Sequence, residues 1–249
     1  MSTATLAAPQ SAAAASAAST PVVQAAAPAA RVDIYAGIHR ALRLFMADTL
    51  GRTGALDPAD AEEVAATIDQ VGALLALCRA HVEHENRFVH TAIEARWPGA
   101  SGRIADEHVS HLEHIAALEA EAATLRAAPT PAGATRFDRH LAQFVAQTFE
   151  HMQVEETAHN QALWEMYTDD EIVDIEHAIV SSLPPEEVGL VLRWMAPALP
   201  PADRAAWLGG MQQAMPPEAF RGVLQAVRQT IDARAWDKLT RALGVPADA

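Results

Sequence analysis

Four long stretches of this sequence carry their large apolar residues at steps of three and four, and two of those stretches place a histidine and a glutamate on the same apolar stripe. The first property dictates amphipathic helices that each bury one face. The second is expensive, because an ionised carboxylate on a core-facing stripe needs a cationic partner or a metal. The pairs are His81-x-x-x-Glu85, within HVEHENRFVH, and His151-x-x-x-Glu155, within EHMQVEE. A step of four turns about 40° beyond a full circle, so each pair shares a face. His81 is in phase with Leu74, Leu77 and Phe88, and Glu155 with Phe144, Thr148, Ala158 and Ala162.

The rest of the composition narrows the class. Half of the 249 residues are apolar but only 5% are aromatic, and alanine dominates over strong strand formers, so the expected class is all-α. A formal charge of −14 argues against nucleic acid and anionic membranes as partners. The single Cys78 excludes an internal disulfide and a thiolate-based zinc site. Residues 1–30 hold Ala, Ser, Thr and Pro without a charge before Arg31 and lack a basic secretory n-region, so they read as a disordered tail on a cytoplasmic protein.

From Arg31 onward the periodicity predicts a first helix through Ile38, Leu42, Phe45 and Met46 to about Gly51–Gly54, and a second from Asp57-Pro58, read as cap and first turn, towards Trp97-Pro98. A third is expected over about 103–127, a loop over APTPAGAT at 128–135, and a fourth helix over about 136–167. Thr168-x-x-Glu171 opens a fifth with a capping box. Four long amphipathic helices with short links predict an antiparallel four-helix bundle over 31–168. Residues 169–249 read as a helical extension. Within it LPPEEVGLVLRWMAPA, LPPADRAAWLGGMQQA and MPPEAFRGVLQAVRQT repeat with a sixteen-residue period, and a degenerate copy starts at Ile231. Each unit begins with Pro in its first turn and puts an apolar residue such as Val188, Phe220 or Trp236 at a matching position. Such short helices must stack on one another or on the bundle, and they suit self-association or a protein partner.

All four long helices can point imidazole inward. His39 lies beside Ile38 and Leu42, and His108 and His111 flank Leu112 and Ile115. With His81, Glu85, His151 and Glu155 they form a shell sufficient for two metal ions. His84, Glu156 and His159 are alternative ligands or supporting groups, and His90, half a turn from His81, is expected at the surface or behind the ligands. Mixed imidazole and carboxylate donors suit iron, manganese or zinc.

The order His39, His81-x-x-x-Glu85, Glu107-His108, His151-x-x-x-Glu155 resembles the hemerythrin, or HHE cation-binding, family over about residues 33–167. The resemblance implies an antiparallel four-helix bundle around a non-haem di-iron centre bridged by two carboxylates. Its ligands would be His39, His81, Glu85, His108 or His111 or both, His151 and Glu155. The expected function is binding or sensing of a small ligand (dioxygen, nitric oxide or peroxide) or iron handling. A di-iron oxidase or peroxidase is the alternative, although its Glu-x-x-His signature occurs only at Glu156-x-x-His159. A metal-free interaction protein built on the helical repeats is the third reading.

Overall fold

The computed structural model describes residues 31–246; the expected tail at 1–30 lies outside the described residues. Among the described residues the structure is all-helical, with no strand, and no helix is long and apolar enough to cross a membrane.

The first helix, α1 (Ala36–Ala55), is preceded by Asp33, whose carboxylate accepts from the Tyr35 and Ala36 amides at 3.1 and 3.0 Å. Helix α2 (Ala61–His84) is capped by Asp60, which accepts from the Glu62 and Glu63 amides, and not by Asp57 as expected. Asp57 instead accepts from Ala59 and shapes the turn leading in. Asp60 stands where its oxygen meets the second and third helical amides, and the chain from Asp57 to Asp60 is a turn rather than the first helical turn. The helix continues without a break through a π-helical segment, Glu85–His90, into α3 (Thr91–Arg96). A tight link follows, in which Gly99 adopts φ +88°, a conformation that suits glycine, and the Glu94 carboxylate accepts from the amides of Gly99 and Ser101.

Helix α4 (Gly102–Ala127) fits the expected span. Helix α5 (Pro131–Val154) starts five residues before the expected position, so most of APTPAGAT is helix. Thr130 accepts from the Gly133 amide at 3.0 Å, and Pro131 fits the first helical turn, where no amide hydrogen is needed. This helix also passes through a π segment, Glu155–His159, into α6 (Asn160–Met166). Helix α7 (Asp169–Ser182) has the expected capping box, with Thr168 and Glu171 each bonding the other's amide.

Helix α1 packs on α2 and α5, and α4 packs on the same two helices. Between them lies an apolar core that includes Leu42, Phe45, Leu74, Leu75, Ile115 and Phe144, each at most 3% exposed. A side chain of this size contributes about 1.5–3 kcal/mol when fully buried, which makes this the main cohesive region.

The repeats become α8 (Pro185–Ala198), α9 (Pro201–Ala214), α10 (Pro217–Arg228) and α11 (Ala233–Leu243), whose first residues are sixteen apart. Leu192, Leu208, Leu224 and Thr240 occupy one repeat position and all are buried. Val188 departs from the expectation for its position: it is 37% exposed, whereas Phe220 and Trp236 are buried. The reason is that α8 turns another face to α1, stacking Trp194 on Phe45 with ring centroids 4.0 Å apart.

Candidate metal centre

The four helices α1, α2, α4 and α5 bring six of the sequence-predicted residues together. The two His-x-x-x-Glu pairs sit where α2 and α5 pass into their π segments, His39 comes from α1, and His108 comes from α4. They form two groups of donor atoms, each confined within 4.8 Å: His39, His81, Glu85 and Glu155 in one, and His108, His151, Glu85 and Glu155 in the other. Both carboxylates belong to both groups. Glu85 Oε1 lies 3.2 Å from His81 Nε2 and 3.7 Å from His39 Nε2, while its Oε2 lies 3.3 Å from His108 Nε2. Glu155 Oε2 lies 3.5 Å from His39 Nε2, and its Oε1 lies 3.4 and 3.0 Å from His108 and His151 Nε2. A cation bound at about 2.0–2.2 Å holds its ligand atoms about 3.0–3.5 Å apart along the edges of an octahedron or tetrahedron. Apart from the 3.7 Å between Glu85 Oε1 and His39 Nε2, the observed spacings match that requirement.

The hydrogen-bond state of these atoms makes the same point. All four oxygens of Glu85 and Glu155 are buried without a hydrogen-bond partner, and the residues are 3% and 0% exposed. The imidazoles are held from behind: Glu156 faces His39 Nδ1 at 3.0 Å, Asn86 Oδ1 faces His108 Nδ1 at 2.7 Å, and Glu107 faces His151 Nδ1 at 2.9 Å. Each acceptor draws the ring proton to Nδ1 and leaves Nε2 as a bare lone pair aimed inward. Yet His39 Nε2 stands 3.1 Å from His81 Nε2, and His108 Nε2 stands 3.0 Å from His151 Nε2. Two lone pairs at that separation repel unless a proton or a metal cation lies between them and the carboxylates. The buried His/Glu clusters could therefore hold metal ions.

The electrostatics follow from the same crowding. Burial pushes His39 down, but the Glu156 and Glu85 carboxylates outweigh it and raise the imidazole to about 9. His108 behaves alike: burial is outweighed by Glu155 and Glu85, giving about 9. Burial dominates at His81 and lowers it to about 4. Burial also opposes ionisation of Glu85 and Glu155, but the surrounding imidazoles hold both carboxyls below the usual range. Without metal, protons are the counter-charge. Cys78, which burial pushes up to about 12, is a small member of the apolar core.

Other candidate residues fall around this centre. Glu156 bridges His39 to Arg43, at 3.0 and 2.7 Å. His84 is half-buried and pairs with Glu187 of α8 at 3.3 Å, outside the donor groups. His111 is buried outside them too, its ring set edge-on to His151 with centroids 4.5 Å apart. His159 forms a third donor group with Glu155 and His90.

His90, expected at the surface or behind the ligands, is 5% exposed, stacks on the ring of His108 and departs from that expectation by joining this third donor group. In an α-helix it would face about 180° from His81, but a π turn absorbs one additional residue and reduces this to about 80°. The second π segment similarly brings His159 to within about 20° of His151's direction, against about 80° in an unbroken α-helix. Both segments start at the paired glutamate and end at the additional histidine. The Nε2 atoms of His90 and His159 are buried and unpartnered, and Tyr35 Oη lies 3.2 Å from His159 Nδ1. A further histidine five residues after Glu85 and four after Glu155 was the available signal; it is out of α-helical phase with the paired histidine, and the π turns that bring it inward leave no periodic mark.

No protein-family model, curated protein or solved structure matches the chain.

Proposed function

We propose that this is a non-haem di-iron protein of the hemerythrin-like type, an antiparallel four-helix bundle of α1, α2, α4 and α5 that binds or senses a small ligand or handles iron. The observation that carries the reading is the sharing of four unpartnered carboxylate oxygens between two imidazole-containing donor groups. His39 and His81 would hold one iron, His108 and His151 the other, and Glu85 and Glu155 would bridge them. Iron rather than zinc or manganese follows from the family resemblance together with the nitrogen- and oxygen-only donor set. Bound iron would supply a redox-active Lewis acid open to dioxygen, nitric oxide or peroxide. The protein's part is to fix the imidazole tautomers through Glu156, Asn86 and Glu107, and to keep water from the carboxylates with the core around Leu42 and Phe144. A binding role is favoured over an oxidase role because Glu156, half of the one Glu-x-x-His motif, is engaged by His39 and Arg43.

The test is anaerobic loading of the metal-free chain with ferrous ion, followed by air. Uptake of iron with a charge-transfer absorption that Glu85→Ala abolishes is the expected result. A chain that takes up no ferrous ion overturns the proposal.

A further inference from the structure

Beside the centre lies a cavity of about 190 Å³. Its inner end is formed by His81 and Glu85, its bundle-side wall by Ile38, Leu77 and Val89, and its opposite wall by Ile179, Leu183, Val191 and Met195. The extension therefore closes a chamber against two residues of the donor groups. Met195 of α8 reaches over Gly37 of α1, where a Cβ would stand 2.7 Å from its flexible terminal Cε. The mouth is apolar as well. Val180 and Val188, at 54% and 37% exposure two of the few large hydrophobic residues left open to solvent, both line it.

Size and charge select the occupant. A diatomic ligand would leave most of this volume empty, since a water molecule claims about 30 Å³ and a 150 Å³ apolar cavity accepts benzene. Besides Glu85, three further carboxylates, Asp33, Glu176 and Glu187, border the chamber, and together they disfavour an anion. Asp33 is engaged by the amides of Tyr35 and Ala36 and by the Asn160 side chain, and Glu187 by His84, so neither is free to receive a cation. Glu176 lies at the exposed edge, where water screens its charge, and Glu85 is turned to the imidazoles of the donor groups.

We infer that the extension equips the centre with a binding site for a small neutral apolar organic molecule, of about the size of a substituted benzene ring, held against His81 and Glu85. The position of this ligand beside a metal rests on the proposed function; the chamber itself does not. It gives the helical repeats a task that the metal centre alone leaves unexplained.

Toluene is the probe, titrated into the iron-loaded full-length chain by calorimetry and by the iron absorption spectrum, with benzoate and benzylammonium as charged counterparts. Saturable binding of one toluene per chain, with a shift of the iron spectrum and no comparable binding of either charged probe, is the expected result. Val191→Phe, which fills the chamber, weakens toluene by about tenfold or more and leaves the iron content unchanged. Val188→Trp, at a half-open position that tolerates bulk, narrows the mouth with the same sign. Absence of saturable toluene binding, equal binding of benzoate, or indifference to both substitutions overturns the inference. If the chain binds no iron yet binds toluene with this sensitivity, the site stands and the di-iron reading falls.

Discussion

Two regions of the molecule bury charge, and they do so in opposite ways. Among the repeats, Arg204 is 6% exposed; its Nε donates to the Ala196 carbonyl and its Nη2 to the Leu199 carbonyl at 2.8 Å. Backbone carbonyls that would otherwise end a helix unsatisfied are met by a cation, so this burial closes on itself. At the centre, Glu85 and Glu155 are at least as deeply buried, but every one of their oxygens lacks a hydrogen-bond partner and the nearest groups are imidazole Nε2 atoms. Burial alone does not make a site. Convergent donors of one kind, lacking the complement that would satisfy them, do.

Substitutions sharpen that contrast, beginning with the largest effect. Glu155→Ala removes an oxygen from each donor group and is expected to abolish binding of both irons, measured by elemental analysis of the purified variant. Arg204→Ala should leave iron content intact while costing about 2–3 kcal/mol in urea unfolding, from orphaned carbonyls and lost packing. If Arg204→Ala instead released the iron, the two regions would not be separable in this way. Glu107→Ala and Glu156→Ala, which free the rings of His151 and His39, should each weaken iron about 10–100-fold in competition with a chelator.

The smallest effect is graded in pH. His39 and His108 are raised to about 9 without metal, so below that value each holds a proton that iron must displace. Apparent iron affinity should therefore climb from pH 7 towards 9, by at most about tenfold per unit for each displaced proton, and level off above. A flat profile over this range would mean that neither imidazole is displaced from its proton.

Much of this was legible in residue spacing, and the rest was not for identifiable reasons. The two His-x-x-x-Glu pairs needed only α-helical phase, which the chain keeps up to each glutamate. His90 lies beyond a π turn, whose register change depends on packing and has no periodic signature in the sequence. The repeat period located the starts of α8 to α11 because proline in the first turn is a local property of the chain. What each repeat buries is tertiary: Val188 stands at the mouth of the chamber, and the matching Arg204 is buried by carbonyls of the preceding turn. At Thr130-Pro131, a cap followed by a first-turn proline was present within a stretch whose Gly and Pro content reads as loop.

The most direct measurement is the saturating ratio of iron to chain, determined by anaerobic titration of the metal-free protein. Two donor groups bridged by Glu85 and Glu155 predict two ferrous ions per chain, and none in the Glu155→Ala variant. A wild-type ratio of zero, or a ratio that Glu155→Ala leaves unchanged, contradicts a bridged metal pair.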